Sequence, residues 1–283
     1  MRKETAVKKG IRLLVAVDMM FLLLMSVSAS FVGVVGDLIY LCAFAIPFAF
    51  GWFSEKRLRY EREEERGVAE SAFPRFGLER DGAKLFLPLI FPTVGIVLGI
   101  ALLTSLLLNS LGASSAPVAD EALIKMLVAH ALLPSVLEEM LFRYLPLKVL
   151  YPYSPRAAVL ISSLLFALIH LDLYKMPYAF AAGIVLVLAD ALTGSIIPSL
   201  VIHFINNASS VALMKYGELG GFTAVFYSAL GILCVGSVAV IAIRYKSYLH
   251  GVRSAFFGRI RFDISLALIT ALSILIALMN LIG

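Results

Sequence analysis

Long apolar runs recur along the chain, separated by short polar or charged stretches. Nine of them, near residues 11–32, 36–53, 85–111, 122–147, 157–171, 176–193, 195–214, 221–243 and 264–282, are candidate membrane spans. A helix needs about 20 mostly apolar residues to cross the hydrocarbon core. The runs are too long, and too apolar on every face, to be half-buried strands. No internal repeat or low-complexity tract accompanies them. The pattern predicts an all-α polytopic membrane protein of about 8–9 transmembrane helices, a single membrane domain over residues 1–283.

Composition agrees. The 283 residues are 61% hydrophobic and only 15% charged, with a mean hydropathy of +0.95, whereas a soluble domain carries about 25% charged residues. The deficit excludes a disordered chain, an ordinary cytosolic enzyme and a nucleic-acid-binding module, despite the formal charge of +5. Cys42 and Cys234 both lie in apolar runs and form no disulfide framework or CxxC-type metal site.

The basic residues read as topology markers. Twenty of the 24 fall in four segments: the N-terminus through Arg12, residues 54–84, residues 148–156 and residues 244–263. Nine spans put all four on one side, which the positive-inside rule makes the cytoplasm. The N-terminus is therefore expected to be cytoplasmic, and 54–84 a charged cytoplasmic linker, part helical extension and part loop. The first run resembles a secretory leader in its basic start, but its length and Asp18 argue for a retained helix.

The costly residues are the ionisable groups inside the spans: Asp18, His130, Glu138, Glu139, Arg143, His170, Asp190 and His203, with Asn206 and Asn207 beside them. On a helix Glu139 and Arg143 share a face and can pair, leaving Glu138 about 100° away without that partner. Phe166 and His170 share a face at i, i+4, as do His203 and Asn207. Asp190 is expected at a solvated helix end, Asp18 to pair across to another helix, and His130 to pack or line a cavity.

Depth connects four of these residues, carried on three helices. At about 1.5 Å per residue, Glu138 lies roughly 18 Å in from residue 150 and His170 about 21 Å in from residue 156. His203 and Asn207 lie about 12 and 18 Å in from residue 195. Unrelated structural polar residues have no reason to coincide in depth, so one shared site is expected. Its chemistry fits amide hydrolysis: Glu138, aided by His170, deprotonates a water, and His203 and Asn207 stabilise the oxyanion. No cofactor is required on that route. Glu138, His170 and His203 could instead hold Zn²⁺ with a water in the fourth position, and spacing alone does not separate the two.

These motifs, Glu138-Glu139-Met-Leu-Phe-Arg143, Phe166-Ala-Leu-Ile-His170 and His203-Phe-Ile-Asn206-Asn207, resemble the EExxxR, FxxxH and HxxxN/D pattern of the CAAX-protease and bacteriocin-processing (CPBP, or Abi) family of intramembrane proteases. Thr193-Gly194-Ser195 before the third motif also resembles the family. The resemblance covers about 122–215, which would be the catalytic core. It implies a helical bundle with an intramembrane cavity open toward the cytoplasm. By its prenyl-protein endopeptidase branch, it also implies removal of the last three residues after a prenylated cysteine. The implied roles are water activation by Glu138 and His170 and an oxyanion hole from His203 and Asn207, with Glu139, Arg143 and Phe166 in support. The family is often labelled a metalloprotease, although its better-understood members look like glutamate proteases.

The expected partners are the bilayer and a lipidated or membrane-embedded peptide or protein. Two other classes compete. A non-catalytic member, an immunity or scaffold protein, would bind a peptide without needing all four of Glu138, His170, His203 and Asn207. A proton-coupled transporter would show paired half-helices with Gly/Pro breaks, and no such symmetry is present.

Overall fold

The computed structural model describes residues 3–66, 74, 76–78, 80–110, 122–244 and 264–282. Most of the charged stretch 67–79 and the basic stretch 245–263 lie outside the described residues. Among the described residues all regular structure is helical. The chain runs through α1 (Lys3–Ser28), α2 (Val34–Arg66) and α3 (Arg80–Ser110) to α4 (Leu123–Met126), the π-helical segment π1 (Leu127–Leu132) and α5 (Leu133–Glu139). It continues through π2 (Met140–Tyr144), α6 (Leu145–Leu150), α7 (Pro155–Leu168), α8 (Lys175–Thr193), α9 (Ile197–Tyr216), α10 (Phe222–Arg244) and α11 (Ile264–Ile282).

Six of these contain stretches long and apolar enough to cross a membrane: Glu4–Ser28, Val34–Leu58, Gly82–Thr104, Lys175–Thr193, Ile197–Tyr216 and Phe222–Val240. The apolar parts of α7 and α11 are shorter. The protein is an integral, multi-pass helical membrane protein. The charged end of α2 carries its helix on to Arg66, the helical extension expected at the start of 54–84.

The chain folds as two compact units. One comprises Met1–Phe73, Met140–Met176 and Phe256–Gly283; the other comprises Pro74–Glu139 and Pro177–Ala255.

In the first unit α1 and α2 pack together, and α6 packs against both. Two glycines permit that approach: a Cβ on Gly51 would collide with Leu145 and Val17, and one on Gly10 with Leu150 and Val149. Phe21 meets Phe44 and Phe142 edge-on, each at 4.9 Å between ring centres. Trp52 stacks on Tyr144, with Lys56 and Lys148 over its ring at 5.3 and 5.8 Å. An aromatic ring capped by ammonium groups suits the membrane–water boundary, where α2 leaves its apolar stretch. Asp18 is fully buried on α1, and neither carboxyl oxygen has a hydrogen-bond partner among the described residues.

The second unit has its core between α3, α8 and α9, around Ile90, Val94, Leu98, Leu186, Ala189 and Ile202. π1 and α5 pack on α9, and α10 packs on α3, where Cys234 Sγ donates to the Phe91 carbonyl at 3.0 Å. Gly95 leaves the room that sulfur needs.

Prolines account for the two π segments. A proline lacks the N–H that would bond the carbonyl four residues back, and no water in the hydrocarbon core satisfies the orphan. Each π segment immediately precedes such a gap: π1 lies before Pro134 and π2 before Pro146. Wider i→i+5 turns of this kind arise where a regular helix is interrupted. The carbonyl that Pro146 leaves behind belongs to Phe142, and it accepts a 2.6 Å hydrogen bond from Ser162 Oγ on α7. The neighbouring helix thus supplies the donor that the proline removed.

Replacing Ser162 by Ala should therefore destabilise the protein by about 1–3 kcal/mol, the cost of an unsatisfied buried acceptor. Ser163→Ala should change little, because among the described residues Ser163 Oγ bonds only the Val159 carbonyl within its own helix. Thermal unfolding in detergent checks both. Pro146→Ala, which restores an N–H, should shrink the Ser162→Ala effect; equal effects in the two backgrounds would contradict the hand-over.

Candidate active site

The two units each carry a polar cluster. In the second unit, Glu138 and Glu139 end α5, and both address the His203 ring on α9. His203 Nδ1 lies 2.9 Å from Glu139 Oε1, and Nε2 lies 3.9 Å from Glu138 Oε2. The first is a hydrogen bond; the second is outside hydrogen-bond range. A carboxylate only accepts, so the Nδ1 proton points at Glu139 and the ring orientation is set.

Burial distinguishes the two neighbours: the Glu139 side chain is 0% exposed and that of Glu138 is 18% exposed. Glu139 is a sealed orienting group, whereas Glu138 is partly exposed. One turn beyond His203, Asn206 donates through Nδ2 to Tyr178 Oη at 3.0 Å and to Asn207 Oδ1 at 3.2 Å. Asn207 thus follows His203 by four residues on the same helical face.

The start of α9 holds this face in place. Gly194 adopts φ +70°, which lets the chain reverse between α8 and α9 at no steric cost. Thr193 Oγ1 donates back to the Ala189 and Asp190 carbonyls, and Ser195 Oγ accepts from the Ile197 N–H. Asp190 is fully buried, not at the solvated helix end expected of it. Its Oδ1 accepts the Ser199 N–H at 2.9 Å, satisfying a donor in the first turn of α9. The reason is non-local: the turn at Gly194 brings the first turn of α9 back over the end of α8.

In the first unit, Arg143 is fully buried. Its Nη1 donates to Ser162 Oγ at 3.1 Å, and its guanidinium lies 5.0 Å over the Phe166 ring. Phe166 meets His170 edge-on at 5.3 Å, and the Phe166 carbonyl accepts the His170 Nδ1–H at 2.9 Å. That bond leaves the Nε2 lone pair of the neutral ring uncommitted to Phe166. Leu171, next in the chain, takes a left-handed φ of 47°, a strained conformation for leucine at the end of this helix.

Of the residues singled out by sequence, Glu138, Glu139, His203, Asn206 and Asn207 come together in one unit, and Arg143, Phe166 and His170 in the other. Sequence pairing drew Glu139 toward Arg143; the contacts described here are Glu139 with His203 and Arg143 with Ser162 and Phe166. His130 is exposed on π1. Tyr178, Ser162 and the capping role of Asp190 escaped sequence reasoning. Tyr178 lies in no motif, and the one available signal was a hydroxyl-bearing ring in the first turn of an apolar helix. Among the described residues no three His, Cys, Asp or Glu side chains are grouped as a metal ion would need.

Residues 120–209 match the Rce1-like family, described as type II CAAX prenyl endopeptidase Rce1-like. The matched stretch contains all three motifs and agrees with the resemblance read from them, so the chain carries a segment of CAAX-protease-like type. No curated protein and no solved structure matches the chain.

Because Asp190 satisfies the first turn of α9, Asp190→Ala should lower stability by about 1–2 kcal/mol. Asp190→Asn, which keeps an acceptor at Oδ1, should lose less. Thermal unfolding followed by far-ultraviolet circular dichroism measures both; indistinguishable midpoints for wild type and Asp190→Ala would contradict the cap.

Proposed function

We propose that the protein is an intramembrane endopeptidase that hydrolyses a peptide bond in a membrane-delivered substrate, of which a prenylated CAAX C-terminus is the leading candidate. The observation that carries this reading is the His203 ring held by Glu139 on one side and facing the accessible Glu138 on the other, with Asn207 one turn along. The match of residues 120–209 supports the substrate class.

In this reading Glu138 takes a proton from water as the water oxygen attacks the scissile carbonyl carbon. His170, whose Nδ1–H is tied to the Phe166 carbonyl, is assigned a share in water activation by the FxxxH resemblance. The carbonyl oxygen becomes an oxyanion that accepts hydrogen bonds from His203 Nε2–H and the Asn207 amide. For Nε2 to donate while Nδ1–H bonds Glu139, the ring must carry both protons, and Glu139 supplies the counter-charge for that imidazolium. Collapse of the intermediate breaks the C–N bond, and Glu138 returns its proton to the departing amine. Glu139, Arg143 and Phe166 orient these groups without touching the substrate.

The distribution of basic residues supports a cytoplasmic N-terminus and a site that receives substrate from the cytoplasm.

The test is cleavage of a farnesylated CAAX peptide, beside a panel of unprenylated ones, by membranes bearing wild type or variants. Glu138→Ala should reduce kcat by about 10³-fold or more, and Asn207→Ala by about 10²–10³-fold. Equal cleavage by wild type and Glu138→Ala would sink the assignment. Activity should also survive exhaustive chelation. Loss that added Zn²⁺ restores would overturn the metal-free route and return Glu138, His170 and His203 to the role of ligands.

A further inference from the structure

An asparagine is a poor oxyanion donor unless something decides which end of its amide faces the substrate. Turned by 180°, the same side chain presents a carbonyl oxygen, which repels the developing charge. The surroundings of Asn207 settle that choice. Asn206 Nδ2 carries two hydrogens in a fixed plane; one goes to Asn207 Oδ1 at 3.2 Å and the other to Tyr178 Oη at 3.0 Å. With both directions engaged, turning the Asn206 amide over sets its carbonyl oxygen against that of Asn207 and loses that bond, while the Tyr178 hydroxyl has to change from acceptor to donor. The Asn207 oxygen is thereby tied back along α9, and its NH₂ group is left to face away.

Tyr178 is the fixed end of this chain. It lies in the first turn of α8, on a different helix from the two asparagines, so it references their orientation to a neighbouring element. Its hydroxyl lies within electrostatic reach of the carboxylate of Glu138, the proposed base. Asn206 is itself 6% exposed, and its Oδ1 has no hydrogen-bond partner among the described residues. An unsatisfied buried acceptor costs about 1–3 kcal/mol, and residues retained at such a cost concentrate at functional sites.

We propose that Tyr178 and Asn206 are positioning residues that hold the Asn207 amide with its N–H groups toward the substrate. The proposal rests on the endopeptidase reading above. It makes Tyr178 part of the reaction machinery although no motif contains it, and it gives the doubled asparagine at 206 and 207 separate tasks.

Kinetics on the farnesylated peptide and the panel would test it with wild type, Glu138→Ala, Tyr178→Phe, Asn206→Ala, the isosteric Asn206→Asp, Asn207→Ala and the doubles with Asn207→Ala. Tyr178→Phe and Asn206→Ala should each lower kcat about tenfold, the scale of losing a group that orients a reacting residue, and leave KM within about twofold. Asn206→Asp, which offers an acceptor where Asn207 needs a donor, should lose at least as much. In the Asn207→Ala background none of the three should lower kcat further, because the residue they act through is gone.

A further loss in that background, or wild-type kcat in Tyr178→Phe and Asn206→Asp, overturns the relay while leaving the endopeptidase reading intact. A wild type that cuts no peptide, or cuts no better than Glu138→Ala, overturns the reading and the relay with it.

Discussion

A carboxylate held at membrane depth with no counterpart is among the most costly groups a helix can carry. The 2.9 Å hydrogen bond from His203 to Glu139 removes that cost and does a second thing at the same time. It fixes which ring nitrogen points where, so the other nitrogen is directed toward Glu138. Two adjacent glutamates on one helix thereby take opposite characters: the sealed one orients His203, and the other stays partly exposed. The turn at Gly194 and the Asp190 cap serve the same arrangement, since they set where α9 begins and hence where its His203 face lies.

A similar economy governs the other cluster. Ser162 donates to the carbonyl orphaned by Pro146 and accepts from the buried Arg143, and that guanidinium covers the Phe166 ring beside His170. A desolvated cation over an aromatic face contributes about 2 kcal/mol or more, enough to hold the ring where it presents its backbone carbonyl to His170. The arginine of the first motif and the histidine of the second are thus mechanically linked through one phenylalanine. Backbone satisfaction, charge neutralisation and histidine orientation all pass through neighbouring side chains of α7 and π2.

Much of the fold was legible in the sequence because lipid imposes simple rules. Helix length follows hydrocarbon thickness, so the apolar runs corresponded to helices. The sharing of one face by His203 and Asn207 follows from helical periodicity alone, and both fall within α9. What stayed hidden depends on contacts between elements. The π form of the turns before Pro134 and Pro146 and the choice of Ser162 as substitute donor are properties of the packed structure. Asp190 looked like a helix-end residue in water because its partner, the Ser199 N–H, is nine residues away across a reversal. Tyr178 was invisible for the same reason: its importance lies in the asparagine that meets it, on another helix.

The difference in burial between Glu138 and Glu139 has a chemical corollary. Consecutive, identical side chains are ordinarily indistinguishable to a reagent, yet here one is partly exposed and the other is sealed. A carboxyl-directed label small enough to follow water would modify the first and spare the second. Because other carboxylates are also exposed or partly exposed, Glu4 and Asp172 among them, the readout is the label at Glu138 relative to that at Glu139, which would report intact sites independently of which peptide the protein cleaves.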